Sequence, residues 1–263
     1  MKALEEIIKT IREVIYLIEG VPRGLGYIMM MHHVLPEGAS GMPVDKKLNI
    51  TPAKFESFIE QASYKYEFIH LEQVPDRIKH PTKKKFMVFT FDDGFQSVYI
   101  NAFDILKKHH VPFTIFVSTG FTGIRCNTYQ ATGPHELGLS TEELLEINAC
   151  PLATIGGHTI NHPRLPLLST SKIHEEIFIN INNLKTILNK TINTFAYPYG
   201  YYDKNVLNVI HDLRDDLKVC VLASGGVVST MSNNCFLLPR LNLDDETSIH
   251  KLSHWRNTYM GFQ

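Results

Sequence analysis

The residues best placed to do chemistry are the paired carboxylates of Thr90-Phe91-Asp92-Asp93-Gly94 and the two imidazoles of His158-Thr159-Ile160-Asn161-His162. The run from Phe86 to Phe91 reads as a buried strand of β-branched and aromatic side chains. Unpaired carboxylates are very costly to bury, so two Asp at the end of such a strand call for a cation nearby. Two His four positions apart would share one face of a helical turn and could grip one metal ion. A carboxylate with two imidazoles leaves coordination positions open for water and substrate, the arrangement of a catalytic ion. Plainer readings stand beside these. Asp92 and Asp93 could cap a following helix, His158 and His162 could lie on the surface, and Tyr199 could serve a turn around Pro198 and Gly200.

Strand and helix signals alternate along the chain. Strands are predicted for Tyr27 to Met31, ending at His32-His33, and for Phe86 to Phe91, Phe113 to Ser118, a short run into Gly157, Thr191 to Ala196, Val219 to Ala223 and Phe236 to Leu241. Helices are expected after Thr51-Pro52, from Val98 to His109-His110, over Thr141 to Asn148, over Ser171 to Leu188, after Asp203, and from Glu246 to Trp255. Residues 119–140 read as a long loop of the kind that borders active sites. Repeated strand–helix units imply a parallel sheet, and the pattern does not choose between an open and a closed one.

With 263 residues, 44% of them hydrophobic and 20% charged, the chain suits one α/β domain with a sizeable core. A net charge of -1 gives no reason to expect nucleic acid as a partner. Cys126, Cys150, Cys220 and Cys235 are too widely spaced for a zinc ribbon and read as reduced thiols. Leu4, Ile7, Ile8, Ile11, Val14, Ile15 and Ile18 form one stripe of an amphipathic helix over residues 1–20. Its charges interrupt any signal-peptide core, and no run spans a bilayer. Packing on the domain or on a second subunit is favoured over peripheral membrane contact, because the polar face is not cationic. Cytoplasmic action is the corresponding expectation.

Three motifs in order, Thr90-Phe91-Asp92-Asp93-Gly94, Gly157-His158-Thr159-Ile160-Asn161-His162-Pro163 and Phe195-Ala196-Tyr197-Pro198-Tyr199-Gly200, resemble those of the polysaccharide deacetylases, the NodB-homology or carbohydrate esterase family 4. The resemblance implies a distorted (β/α) barrel of seven or so strands, a single domain over 1–263 with residues 1–20 appended. It implies that Asp93, His158 and His162 bind a divalent metal, with zinc the expected ion, and that Asp92 is the general base. The backbone N–H of Tyr199 resembles the position that stabilises the oxyanion. Met30-Met31-His32-His33-Val34 resembles the form in which an N-terminal strand carries the general acid, which would be His32, with His254 the alternative. His33 would point to the opposite side if the strand continues. Phe195-Ala196-Tyr197-Pro198 lacks the Arg that often precedes this motif, and Leu238-Pro239-Arg240 offers Arg240 as a replacement to orient Asp92. Arg240 could equally be a surface ion-pair partner.

The activity so implied is removal of N-acetyl groups from amino sugars of a glycan or glycan precursor. Alternatives on the same machinery are an O-acetyl esterase and a deformylase acting on a lipid-linked sugar. A non-catalytic carbohydrate-binding protein on the same fold is a different class. His70-Leu71-Glu72 starts an iron-oxygenase facial triad, a short pattern frequent by chance.

Overall fold

A computed structural model describes residues 25–39, 42–43, 45–124, 137–223, 226–230, 232 and 234–254. The predicted N-terminal helix, Cys126 and Trp255 lie outside these residues. The strands are β1 Gly26–Met31, β2 His33–Val34, β3 Asn49–Ile50, β4 Glu67–Phe68, β5 Phe86–Phe91, β6 Phe113–Val117, β7 Ala153–Gly157, β8 Thr194–Ala196, β9 Val219–Val221 and β10 Leu241–Asn242. The helices are α1 Pro52–Ser63, α2 Val74–Lys79, α3 Gln96–Asn101, α4 Phe103–Lys108, α5 Thr141–Ala149, α6 Thr170–Leu188, α7 Lys204–Asp212 and α8 Ile249–His254. None of them is long and apolar enough to cross a membrane.

The main sheet runs β10-β1-β5-β6-β7-β8-β9, all parallel, with β4 added against the start of β5. Residues 238–242 tie its two edges together. Leu238 pairs with Val221 of β9, and Leu241 with Met29 of β1, so the sheet curls into a distorted barrel.

Strand alternation sorts the side chains. Ile28, Val88, Phe116, Ala196, Val219, Val221 and Leu238 meet in one cluster enclosed by the sheet. Their neighbours Met29, Met87, Phe89, Ile115, Phe195 and Cys220 belong to the larger cluster under the helices. Both faces of the strands are buried, which is why the strand sequences are apolar at nearly every position.

Two helix predictions need correction. The helix expected from Val98 onward is two short ones that meet at Ala102. Thr51 sits at the N-cap of α1 beside Pro52, but its side chain makes no cap bond and donates instead to Asp245 Oδ1 at 3.0 Å. Asp203 caps α7 as expected, its Oδ1 accepting from the Val206 N–H at 2.9 Å, and Ser140 with Glu143 forms a capping box on α5.

Candidate metal centre and active site

Parallel strands bring their C-terminal ends to one side, and the reactive groups gather there. Continuing the alternation of β5 past Val88 and Thr90 puts Asp92 on the inner face. Applied to β1, the same register carries Ile28 to His32. In β7 it carries Gly156 to His158. From Leu238 it reaches Arg240. The four side chains come from distant parts of the sequence yet occupy one layer above the enclosed cluster.

Asp93 should point outward, and the backbone prevents it. Its φ of 71° breaks the strand, and Gly94 follows at 77°. A Cβ on Gly94 would also lie 3.3 Å from the Val117 side chain, so glycine suits this turn on two counts. Neither Asp caps α3, whose N-cap is Phe95.

Asp93 Oδ1 lies 3.4 Å from His158 Nε2 and 3.4 Å from His162 Nε2, and all three residues are buried. Donors about 2.0–2.1 Å from a tetrahedral ion stand roughly 3.3–3.4 Å apart, so this spacing fits a zinc-like cation. His158 Nδ1 donates to the Ala196 carbonyl at 2.8 Å, which turns Nε2 toward Asp93. Burial would raise the pKa of Asp93, but the His162 charge, the His158 hydrogen bond and His32 outweigh it and hold the carboxyl ionised. His162 is pushed down to about 4 by burial, against the pull of Asp93. His158 shifts upward, because its hydrogen bond to Asp93 and the two Asp charges overcome its burial.

Arg240 is completely buried, which excludes a surface ion pair. Its Nη1 and Nη2 donate to Asp92 Oδ1 and Oδ2, each at 2.6 Å. Nη1 also reaches Thr90 Oγ1 at 3.0 Å, and Nε donates to the Leu222 carbonyl at 2.7 Å. Burial works to raise the pKa of Asp92, and the Arg240 charge and hydrogen bonds reverse that, leaving it below the usual range.

His32 lies close enough to Asp93 and Asp92 for both to draw its pKa up, but burial dominates and lowers it. Its Nδ1 is buried, with no hydrogen-bond partner among the described residues. His33 takes the opposite side, as expected, and stacks on Phe95 with ring centroids 4.0 Å apart. The His254 side chain is outside the described residues. Tyr199 stands at φ 58° between Pro198 and Gly200, with its ring 4.5 Å from that of His162.

The His pair is not on a helical turn. Residues 158–163 form a loop after β7, with Thr159 at φ 67° and His162 at φ 53°. Sequence reasoning missed the residues that hold this loop. Asn180 of α6, fully buried, accepts the His158 N–H at 3.0 Å and donates to the carbonyls of Thr159 at 2.6 Å and Val117 at 3.0 Å. Glu176, one turn earlier, accepts the N–H groups of Ile160 and Asn161 at 2.9 and 3.0 Å. An Asn at a core-facing helical position was the available signal, since such a residue must have partners.

Among the described residues, two groups of His, Asp and Glu could share an ion: Asp93–His158–His162 and the more exposed Glu56–Glu60–His109. His109 contacts Glu56 at 2.9 Å, where Lys108 already supplies a cation. His70 and Glu72 belong to neither group. Instead, Glu72 lines a cavity of about 100 Å³ with Lys190 and Asn193, below the starts of β7 and β8.

A family model described as polysaccharide deacetylase matches residues 79–214, which include all three sequence motifs but neither His32 nor Arg240. The poly-β-1,6-N-acetyl-D-glucosamine N-deacetylase of Staphylococcus aureus (strain MRSA252) is 28% identical over 221 residues, covering 80% of this chain and 73% of that protein. Among solved structures, the Streptococcus pyogenes deacetylase PplD in complex with acetate superposes with a TM-score of 0.69 at 24% identity, covering 87% of this chain and 96% of that one. IcaB from Ammonifex degensii gives 0.68 at 22% identity, covering 84% and 92%. These two similarities show a shared fold.

Proposed function

Because the chain belongs to the polysaccharide deacetylase family, we propose that it is a metal-dependent hydrolase removing N-acetyl groups from amino sugars of a polysaccharide, an oligosaccharide or a glycan precursor. The observation that carries this reading is the convergence of Asp93, His158 and His162 beside an Asp92 locked by Arg240. The polymer named for the staphylococcal relative, β-1,6-linked N-acetylglucosamine, is the first substrate to try.

Asp93, His158 and His162 would hold the ion, for which a carboxylate and two imidazoles are a zinc-type donor set. When bound, a divalent cation supplies Lewis acidity, polarising an acetyl carbonyl and making a water molecule more acidic. Asp92 takes the proton of the attacking water. The water oxygen bonds to the acetyl carbon, the carbon–nitrogen bond breaks, and acetate and a free amine result. His32 delivers the proton that the departing nitrogen needs, and the Tyr199 N–H faces the oxygen that gains negative charge. Arg240 keeps both Asp92 oxygens in place and prevents the carboxyl from wandering toward the cation.

The test is acetate release, followed by mass spectrometry, from acetylated amino-sugar oligomers incubated with metal-loaded protein. Asp92→Asn should lose about 10²-fold or more of the rate while retaining bound metal by elemental analysis. Wild-type turnover in that variant would reject the base assignment.

A further inference from the structure

Outside the His162 side of the metal centre stands an open wall made of Tyr199, Arg164 and Tyr201. The Arg164 guanidinium carbon lies 5.3 Å from the centre of the Tyr199 ring and 5.8 Å from that of Tyr201. The two rings stack at 6.0 Å and 27°. Tyr199 is 36% exposed and Tyr201 50% exposed, a degree of exposure unusual for large aromatic groups beside a buried site. The left-handed backbone at Tyr199 adds a second oddity, since a non-glycine residue there is strained and such strain gathers at functional positions. Among the described residues no carboxylate lies within ion-pair distance of Arg164. Its contacts are ring faces, which hold a guanidinium without neutralising it.

We propose that this wall is the subsite for the sugar next to the one being deacetylated, and that Arg164 makes it select a neighbour that is still acetylated. The proposal rests on the deacetylase reading and goes beyond it. Aromatic faces suit the apolar C–H face of a pyranose, and a guanidinium suits hydroxyl and acetamido oxygens, which accept hydrogen bonds. A sugar already stripped of its acetyl group carries an ammonium ion at neutral pH. Placed on this wall, it would meet a like charge that no carboxylate among the described residues pairs with. The enzyme's own product would therefore be a poor neighbour for the next reaction.

The experiment compares two short oligomers, one fully N-acetylated and one with a single free amine beside the reacting unit, together with a small acetyl ester too short to reach the wall. Wild type should turn over the fully acetylated oligomer about tenfold better in kcat/KM, the effect of about 1.4 kcal/mol. The ratio should shrink as salt rises from about 0.05 to 1 M, as screening demands. Arg164→Gln should reduce the ratio to below about threefold, acting mainly on KM, while Arg164→Lys keeps most of it and the small ester is hydrolysed at the wild-type rate by all three proteins. A preference that Arg164→Gln leaves unchanged, or a wild type with no preference, overturns the proposal while acetate is still released. Failure of wild type to release acetate from any of the three substrates would overturn the deacetylase reading and this inference together.

Discussion

Replacing Arg240 with Ala would expose how much of the site depends on one buried guanidinium. Arg240 has no solvent exposure and Asp92 is 2% exposed, so bulk water and salt screen the pair little. The side chain makes four hydrogen bonds, two of them to Asp92 at 2.6 Å. Removing one partner of such a buried pair leaves an uncompensated charge and typically costs about 3–5 kcal/mol of stability. The loss should depend on pH with a definite sign. In wild type Asp92 has a depressed pKa, so its stabilising contribution is present above the unfolded value of about 3.9 and disappears as pH falls through the lower folded value. Without Arg240 only the His158 and His32 charges oppose burial, the largest influence on Asp92; the folded pKa should then rise above the unfolded one, and stability should fall as pH climbs from about 4 toward 7. Urea denaturation of metal-free protein at pH 7 and pH 5 measures both effects, and adding Asp92→Asn to Arg240→Ala completes a double-mutant cycle. The variant should be markedly less stable than wild type at pH 7, recover part of the difference at pH 5, and couple to Asp92→Asn by roughly 2 kcal/mol or more. A cost under about 1 kcal/mol, unchanged by pH and by Asp92→Asn, would refute the account of Arg240 as the counter-charge of the base.

Other consequences can be measured on the same protein. Asn180→Ala removes no metal-ligating atom, yet it should weaken zinc affinity about 10- to 100-fold in calorimetric titration, because the His158–His162 loop loses its anchor. His32→Ala should slow N-acetyl cleavage by about 10²-fold and leave hydrolysis of an O-acetyl ester nearly unchanged, since an alkoxide needs less help to depart than an amine. Equal losses on both substrates would assign His32 a structural role. Chelation should abolish activity, and added zinc should restore it and raise the thermal midpoint with the logarithm of its free concentration. A midpoint indifferent to zinc would deny the Asp93–His158–His162 cage a metal.

Much of the chemistry was legible in the order of residues because it depends on local signals. An apolar strand that ends in two carboxylates, a His pair at fixed spacing and a Tyr-Pro-Tyr-Gly turn need no tertiary information to be noticed, and strand alternation predicted that His33 would face away from His32. What the sequence could not contain was the closure of the sheet. Arg240 lies 148 positions from Asp92, and only the pairing of residues 238–242 with β9 on one side and β1 on the other brings its guanidinium onto the carboxylate. The His pair was read as helical because a spacing of four suits a helix. A loop with two left-handed residues reaches the same convergence, and it is stable only because Asn180 and Glu176, on a helix that follows in the chain, satisfy its backbone groups. Local sequence fixes which groups are available and the face each one takes. Long-range pairing decides which of them meet, since contact across a barrel depends on register between strands and leaves no trace in the spacing along any one of them.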